Sequence, residues 1–392
     1  MRNFVFGTTS ASSPAGGALS ALAALVLLAG CSGGSATPPL AHLSAQSAFS
    51  GQSAFAAQSL VLGAQHPEIA ALPGAYAKAM ENRTHQPQRS FSSRIRPDVL
   101  FPATGTVWVT DAGNNSVYRC TNATNGCVAQ QVPAFGSPLA TWNEPQGIAA
   151  DSAKDVYIAD TVNSRIVELD PTGATVLGIY ADPNEYPVGV AVAVEHNIIC
   201  VTNMISTSGG PGNIVCYKQG HFTGPNWTAG GLMNDYYFDG FDKAGNLYVD
   251  GFDSNGVAEV EEVPHAASGG TTEVLSPITI QFPGGVEVER TRGYLLVDDQ
   301  SARTINQYVL PGYGAGTPAS FTMTGASDPV SFGLKPGDLN LWMADAGIAE
   351  ADDYHVSAGG PPAFRLPWQL PVNQPGLFSV PIGAVYTAYG QF

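Results

Sequence analysis

The chain has 392 residues, with 32 Asp plus Glu against 16 Lys plus Arg and a formal net charge of −16, which excludes a nucleic-acid binder built on clustered basic residues. Charged residues are only 12% of it, while 45 Gly and 29 Pro stand far above average usage, and this disfavours a helical protein. Hydrophobic residues, at 44%, supply a large core and exclude global disorder.

Residues 1–30 read as an export signal. After Arg2 comes an apolar run from Ala18 to Leu28, shorter than the roughly 20 residues a membrane span needs. It ends in Leu28-Ala29-Gly30-Cys31, which resembles a bacterial lipobox. That resemblance implies that Cys31 is acylated and becomes the mature N-terminus, so that membrane contact is through lipid alone. No Asp follows Ser32, which favours the outer membrane or cell surface over inner-membrane retention. Setting Cys31 aside leaves Cys120, Cys127, Cys200 and Cys216, an even number suited to an oxidising compartment. Of three possible pairings, Cys120 with Cys127 and Cys200 with Cys216 are favoured, because each would flank a short turn between neighbouring strands. The spacings are not C-x-x-C, which argues against a metal centre.

Residues 31–97 form a disordered tether. The tract Ser44 to Ser59 is biased to Ser, Ala, Gln and Phe and cannot bury enough to order itself, though a short helix over Glu68 to Glu81 is compatible with the sequence. A flexible chain of this length reaches roughly 45 Å, enough to hold a domain clear of a membrane. Its end carries a basic collar of Lys78, Arg83, Arg89, Arg94 and Arg96, whereas from residue 97 onward 10 bases face 30 acids. The acidity therefore belongs to the segment 98–392, which is expected to attract cations and repel anionic partners.

From about residue 105 the sequence repeats. A strand-length apolar stretch recurs as Val107 to Asp111, Val156 to Asp160, Ile199 to Asn203, Leu247 to Gly251, Leu295 to Asp299 and Leu341 to Asp345, with successive ends 43 to 49 residues apart. It is preceded by a Pro-x-Gly strand at Pro145, Pro187, Pro283 and, as Pro-Val-Ser, at Pro329; Tyr236-Tyr237-Phe238-Asp239 takes that place in the fourth copy. The unit Pro145 to Gly173 closely resembles an NHL repeat, and the resemblance implies an all-β, six-bladed β-propeller over 98–392. The first middle strand has no convincing Pro-x-Gly strand before it, and the last such strand, at Pro381, has no middle strand after it. The C-terminal strand is thus expected to complete the first blade and remove exposed sheet edges, with Asp98 to Phe101 as the alternative.

Trp108, Tyr157, Cys200, Tyr248, Leu296 and Trp342 share one repeat position, large or apolar in every copy, and are expected to pack between sheets. Asp111, Asp160, Asp299 and Asp345 precede turns and are expected to cap them, with Arg165 a partner for one. No nucleophile, P-loop or zinc motif is present. Of the histidines, His42, His66 and His85 lie in the tether; His196, His221, His265 and His355 are expected in loops or turns, without a role as base. Asp298-Asp299 and Glu350 to Asp353 could hold Ca²⁺ but read as solvated acidic turns. Asp239 to Tyr248 also resembles the Asp-Gly strand of gluconolactonase and regucalcin-like propellers, in which a tunnel metal serves hydrolysis. That resemblance departs in register, and Val188-Gly189 replaces the family's Asn-Gly. Because the fourth opening strand breaks the repeat consensus, Tyr236, Tyr237, Asp239 and Asp242 are the candidate ligand or metal contacts. The expectation is a monomeric, lipid-anchored binding module for a protein, peptide or glycan at one propeller face or the tunnel mouth, with no cofactor beyond a possible Ca²⁺. A metal-dependent lactonase or esterase and a structural cell-surface protein are the alternatives.

Overall fold

The computed structural model describes residues 105–121, 130–133, 141–290, 293–311, 318–323, 326, 328–334, 340–347, 350–356, 362–367 and 380–388. Cys31, the tether with its helix and collar, Asp98 to Phe101, and Cys127 lie outside them.

Strands alternate with Gly, Asn and Asp turns, and each set of four forms one antiparallel sheet, written here from its innermost strand outward. Blade 1 is β24 (Pro381–Ala388), β1 (Gly105–Asp111), β2 (Ser116–Thr121) and β3 (Gln130–Val132). Blade 2 is β4 (Pro145–Ala150), β5 (Val156–Asp160), β6 (Arg165–Leu169) and β7 (Val176–Ala181). Blade 3 is β8 (Glu185–Ala193), β9 (Ile198–Ser206), β10 (Pro211–Lys218) and β11 (Trp227–Ala229). Blade 4 is β12 (Asp235–Phe241), β13 (Leu247–Phe252), β14 (Ala258–Val263) and β15 (Val274–Thr279). Blade 5 is β16 (Pro283–Glu289), β17 (Tyr294–Asp299), β18 (Thr304–Val309) and β19 (Ala319–Thr322). Blade 6 is β20 (Pro329–Leu334), β21 (Asn340–Asp345), β22 (Glu350–Val356) and β23 (Pro362–Pro367).

The inner strands pack in the cycle β24, β4, β8, β12, β16, β20 and back to β24, which closes a six-bladed ring. The C-terminal strand does complete blade 1: β24 pairs with β1 from Gly105↔Ala388 to Thr110↔Gly383. One glycine in each inner strand explains how the strands come so near. A Cβ added at Gly147, Gly189, Gly240, Gly285, Gly333 or Gly383 would lie under 3.0 Å from the backbone of the next inner strand around the ring. The Pro-x-Gly signature is thus a steric requirement of the ring. Blades 4 and 6, where the sequence pattern fails, meet it with Gly240 and Gly333 instead.

Hydroxyls lock the same junctions. Thr110 Oγ1 accepts from Gly383 N at 2.9 Å and donates to Gln146 O, and Thr202 Oγ1 accepts from Gly189 N at 3.0 Å and donates to Tyr237 O at 2.5 Å. In blade 4 Asp250 replaces the threonine and accepts from Phe238 N and Gly284 N, both at 2.8 Å. The large repeat position is buried in every copy, with Trp108 packed between blades 1 and 2. Cys200 and Cys216 lie directly opposite across β9 and β10 and are disulfide-bonded, with 4.1 Å between their Cα atoms. Cys120 is also disulfide-bonded.

Candidate functional site

The inner strands line the central channel that a propeller encloses. On this wall the acids concentrate at blades 4 and 5. Asp239, on β12, is only 7% exposed, and neither of its carboxylate oxygens accepts a hydrogen bond. Its Oδ1 lies 2.7 Å from where a Cβ at Gly189 of β8 would stand, so the glycine makes room for the carboxylate. Burial holds the Asp239 carboxyl well above the usual range, and the charges of Glu287 and Asp250 push it the same way. Glu287, on β16, is partly exposed although enclosed by protein, as a side chain on a tunnel wall must be. Burial pushes it up to about 7, against the opposing charge of Arg290. Arg290 itself crosses from blade 5 to blade 3, with Nη2 donating to Val192 O at 2.9 Å and Nη1 3.2 Å from Glu195 Oε2.

Asp298, on β17, occupies the repeat position of Asp250 but has no hydrogen-bond partner for either oxygen, and it is fully buried. Burial raises it most, followed by the charges of Asp299, Asp250, Asp328 and Asp345. The expected solvated turn at Asp298-Asp299 is therefore corrected: both residues are buried, because the end of the second strand faces the neighbouring blade. Glu350 to Asp353 likewise lie in strand β22 and not in a turn, and His355 is in that strand as well.

The four candidate contacts at residues 236–242 do not converge. Tyr236 points toward blade 3, where its hydroxyl accepts from Gly231 N at 2.8 Å and donates toward Glu273 Oε2 at 3.3 Å. Tyr237 packs edge-on against Phe252 and Phe282 in the core on the other face. Asp242 caps the β12–β13 turn, accepting from Asn246 N and Nδ2 at 2.8 Å, with Gly245 supplying the left-handed residue at φ +84. Among the described residues no three His, Cys, Asp or Glu side chains are grouped to hold a metal ion. The position of the family's Asn-Gly is held by Val188-Gly189, so one ligand of the gluconolactonase-type centre has no counterpart there. Glu287 and Asp250 escaped the sequence reading. The signals were there: Glu287 is an acid between two buried valines of an inner strand, and Asp250 stands where other copies have Thr110 and Thr202.

The four turn carboxylates share one geometry. Each accepts from a backbone N–H just before its own blade's inner strand: Asp111 from Val380 N at 2.8 Å, Asp160 from Asn143 N at 2.7 Å, Asp299 from Gln281 N at 2.8 Å and Asp345 from Asp328 N at 2.9 Å. Each thereby pins the incoming chain. Asp160 also accepts from Asn163 Nδ2 at 2.9 Å and pairs with Arg165 at 2.6 Å. Removing it strands a part-buried N–H and a largely buried guanidinium, so Asp160→Ala is expected to cost about 3 kcal/mol, read as a lowered Tm by calorimetry.

This constellation sits in residues 143–169, which match the NHL repeat family model. Strands β4 to β6 of blade 2 match an NHL repeat. The fold of the whole ring is shared with a chain in the crystal structure of a nidogen–laminin complex, at 14% identity and a TM-score of 0.54, covering 74% of this chain and 100% of that one. A protein of unknown function from Bacteroides caccae matches at 14% identity and TM-score 0.49, covering 72% and 98% of the two chains. Inactive virginiamycin B lyase from Staphylococcus aureus, solved with quinupristin, matches at 14% identity and TM-score 0.44, covering 68% and 81%. No curated protein matches the chain in sequence. These likenesses are of fold. Within this repeat Asp160, Asn163 and Arg165 act together: they fasten the turn after the second strand to the chain entering the first, through Asn143 N and Thr141 O.

Proposed function

We propose that the protein is an exported, lipid-anchored NHL-type propeller that works as a non-enzymatic binding module through its tunnel mouth or one face. The carrying observation is the state of the tunnel acids. Asp239 and Asp298 are buried with carboxylate oxygens that accept no hydrogen bond, so this part of the ring offers unmet charge and hydrogen-bonding capacity for recognition. A solved chain of similar fold, at a TM-score of 0.54, comes from a complex of two proteins, nidogen and laminin, which agrees with a propeller presented for binding. The lipobox at Leu28 to Cys31 and the tether give such a module its anchor and reach at the cell envelope.

A panel of lactones and esters, assayed with and without EDTA, is expected to show no turnover above background. Metal-dependent hydrolysis abolished by Asp239→Ala overturns this reading in favour of the lactonase. For the anchor, [³H]palmitate incorporation is expected in cells and is lost on Cys31→Ala; labelling that persists in the variant removes the lipoprotein assignment.

A further inference from the structure

We propose that the tunnel wall of blades 4 and 5 binds a small free amine in its protonated form, a diamine or polyamine, with Asp239 as its principal contact; this rests on reading the tunnel as a binding site. Asp239 carries two oxygens without a hydrogen bond at 7% exposure, and Asp298 repeats that condition at 0%. Buried carboxylates are ordinarily paired or hydrogen-bonded, and here the charges acting on Asp239 are those of Glu287 and Asp250, both negative. The site therefore wants both positive charge and N–H donors. A primary ammonium brings three donors on one charge and forms charge-assisted bonds to carboxylate oxygens.

The distribution of the acids selects an extended organic cation over a metal ion. Ca²⁺ takes about six to eight oxygens converging on a point, whereas no three acidic side chains group together among the described residues. The acids are instead spread across two blades: Asp239 feels the charges of Glu287 and Asp250, and Asp250 and Asp298 both abut Gly284, whose N–H donates to Asp250 and whose added Cβ would stand 2.7 Å from Asp298 Oδ2. A chain of methylenes with an ammonium at each end matches such a spread. The protein already places one cation of its own there: Arg290 lies beside Glu287 and is fastened at Val192 O and Glu195. Glu287 is partly exposed, so solvent reaches the acids at Glu287, while Asp250 and Asp298 lie covered behind it.

Titration calorimetry on the detergent-solubilised full chain at low salt, with cadaverine and spermidine, is expected to give saturable binding. Asp239→Asn weakens it at least about tenfold and Asp298→Asn weakens it less, while Asp253→Asn, in an exposed turn, leaves it unchanged. Both asparagine variants remove a buried acid and are expected to stay folded, which circular dichroism checks. Absence of binding by either amine, or equal binding by the Asp239→Asn chain, overturns the proposal. CaCl2 bound more tightly than the amines, and lost in the same variant, reassigns the site to a metal ion. A blocked lysyl peptide bound about tenfold more tightly than either free amine reassigns it to a partner's side chain. The lactone panel tests the binding reading separately, so an inert tunnel that also fails to hydrolyse defeats the ligand class alone.

Discussion

Gly383→Ala is expected to destabilise the ring by about 3 kcal/mol, and deletion of residues 381–392 to abolish its cooperative unfolding. The added methyl would stand 2.5 Å from Gln146 O and 2.9 Å from both Ile148 Cγ2 and Thr110 Oγ1. Gln146 O is backbone of β4 and cannot swing aside, so blades 1 and 2 must part. Parting them also breaks the relay from Gly383 N through the Thr110 hydroxyl to Gln146 O. Deletion is more severe still, because β24 is at once the inner strand of blade 1 and the packing surface between β20 and β4. Without it the ring is open at two edges, each a template for aggregation. The comparison that isolates the contact is Gly209→Ala. Gly209 has φ +78 with nothing within 4 Å of an added Cβ, so only its backbone preference is lost, at about 1 kcal/mol. Chemical denaturation of both variants decides the matter: equal losses would mean that the blade junctions tolerate a side chain and that the ring is not set by glycine.

The same residues show how far the sequence could be read. The second strands were legible because their burial on both faces leaves unbroken β-branched runs ending in turn residues, as in Val156 to Asp160. The closure by Pro381–Ala388 was legible because the order of strand types leaves one of each unmatched at the two ends. Gly240 and Gly333 were not legible as ring glycines. They pair with Tyr248 and Trp342, displaced along the strand from the position where Gly189 and Gly383 pair with Thr202 and Thr110, and a shift of that kind has no signature in a single repeat. The acid wall was hidden for a related reason. Asp239, Glu287 and Asp298 are far apart along the chain, and whether a carboxylate has a partner depends on what the neighbouring blade presents. Asp298-Asp299 at a strand end therefore looked solvated. Tyr236 and Tyr237 looked like ligand contacts because they break the consensus, yet they break it for packing. Asp239 alone of that group carries the unmet hydrogen-bonding capacity that a ligand would use.

The stability of the ring is expected to fall as pH rises from 5 to 9, opposite to the behaviour of a protein held together by ionised salt bridges. Burial pushes Glu261 up to about 9, with the charge of Glu273 adding to it, and neither oxygen of Glu261 accepts a hydrogen bond. Glu287 is pushed up to about 7 and Glu185, mainly by burial and then by Asp182, also to about 7; Asp239 and Asp298 are raised as well. In each case the folded state holds its proton to a higher pH than the unfolded chain does. Across the window from the ordinary carboxylate pKa to these raised values the unfolded state binds fewer protons, so stability declines with pH, and below that window the penalty is absent. The lowered carboxyls, Asp170 and Asp253, act in the opposite sense, but they are exposed turn caps and act only at more acidic pH. At pH 7 the Glu261 carboxyl alone accounts for about 1–3 kcal/mol of this loss, and the summed effect lowers Tm by roughly 5–10 °C between pH 5 and 9. Glu261→Gln keeps the shape and removes the ionisation. The variant is expected to match the wild type at pH 5 and to exceed it by about 1–3 kcal/mol at pH 7 to 8. Scanning calorimetry across this range reads both effects. A wild-type Tm that is flat or rises with pH, or a Gln variant with no advantage at pH 8, shows that the buried acids are relieved by partners of their own, and the charge-starved interior argued for the tunnel then fails with them.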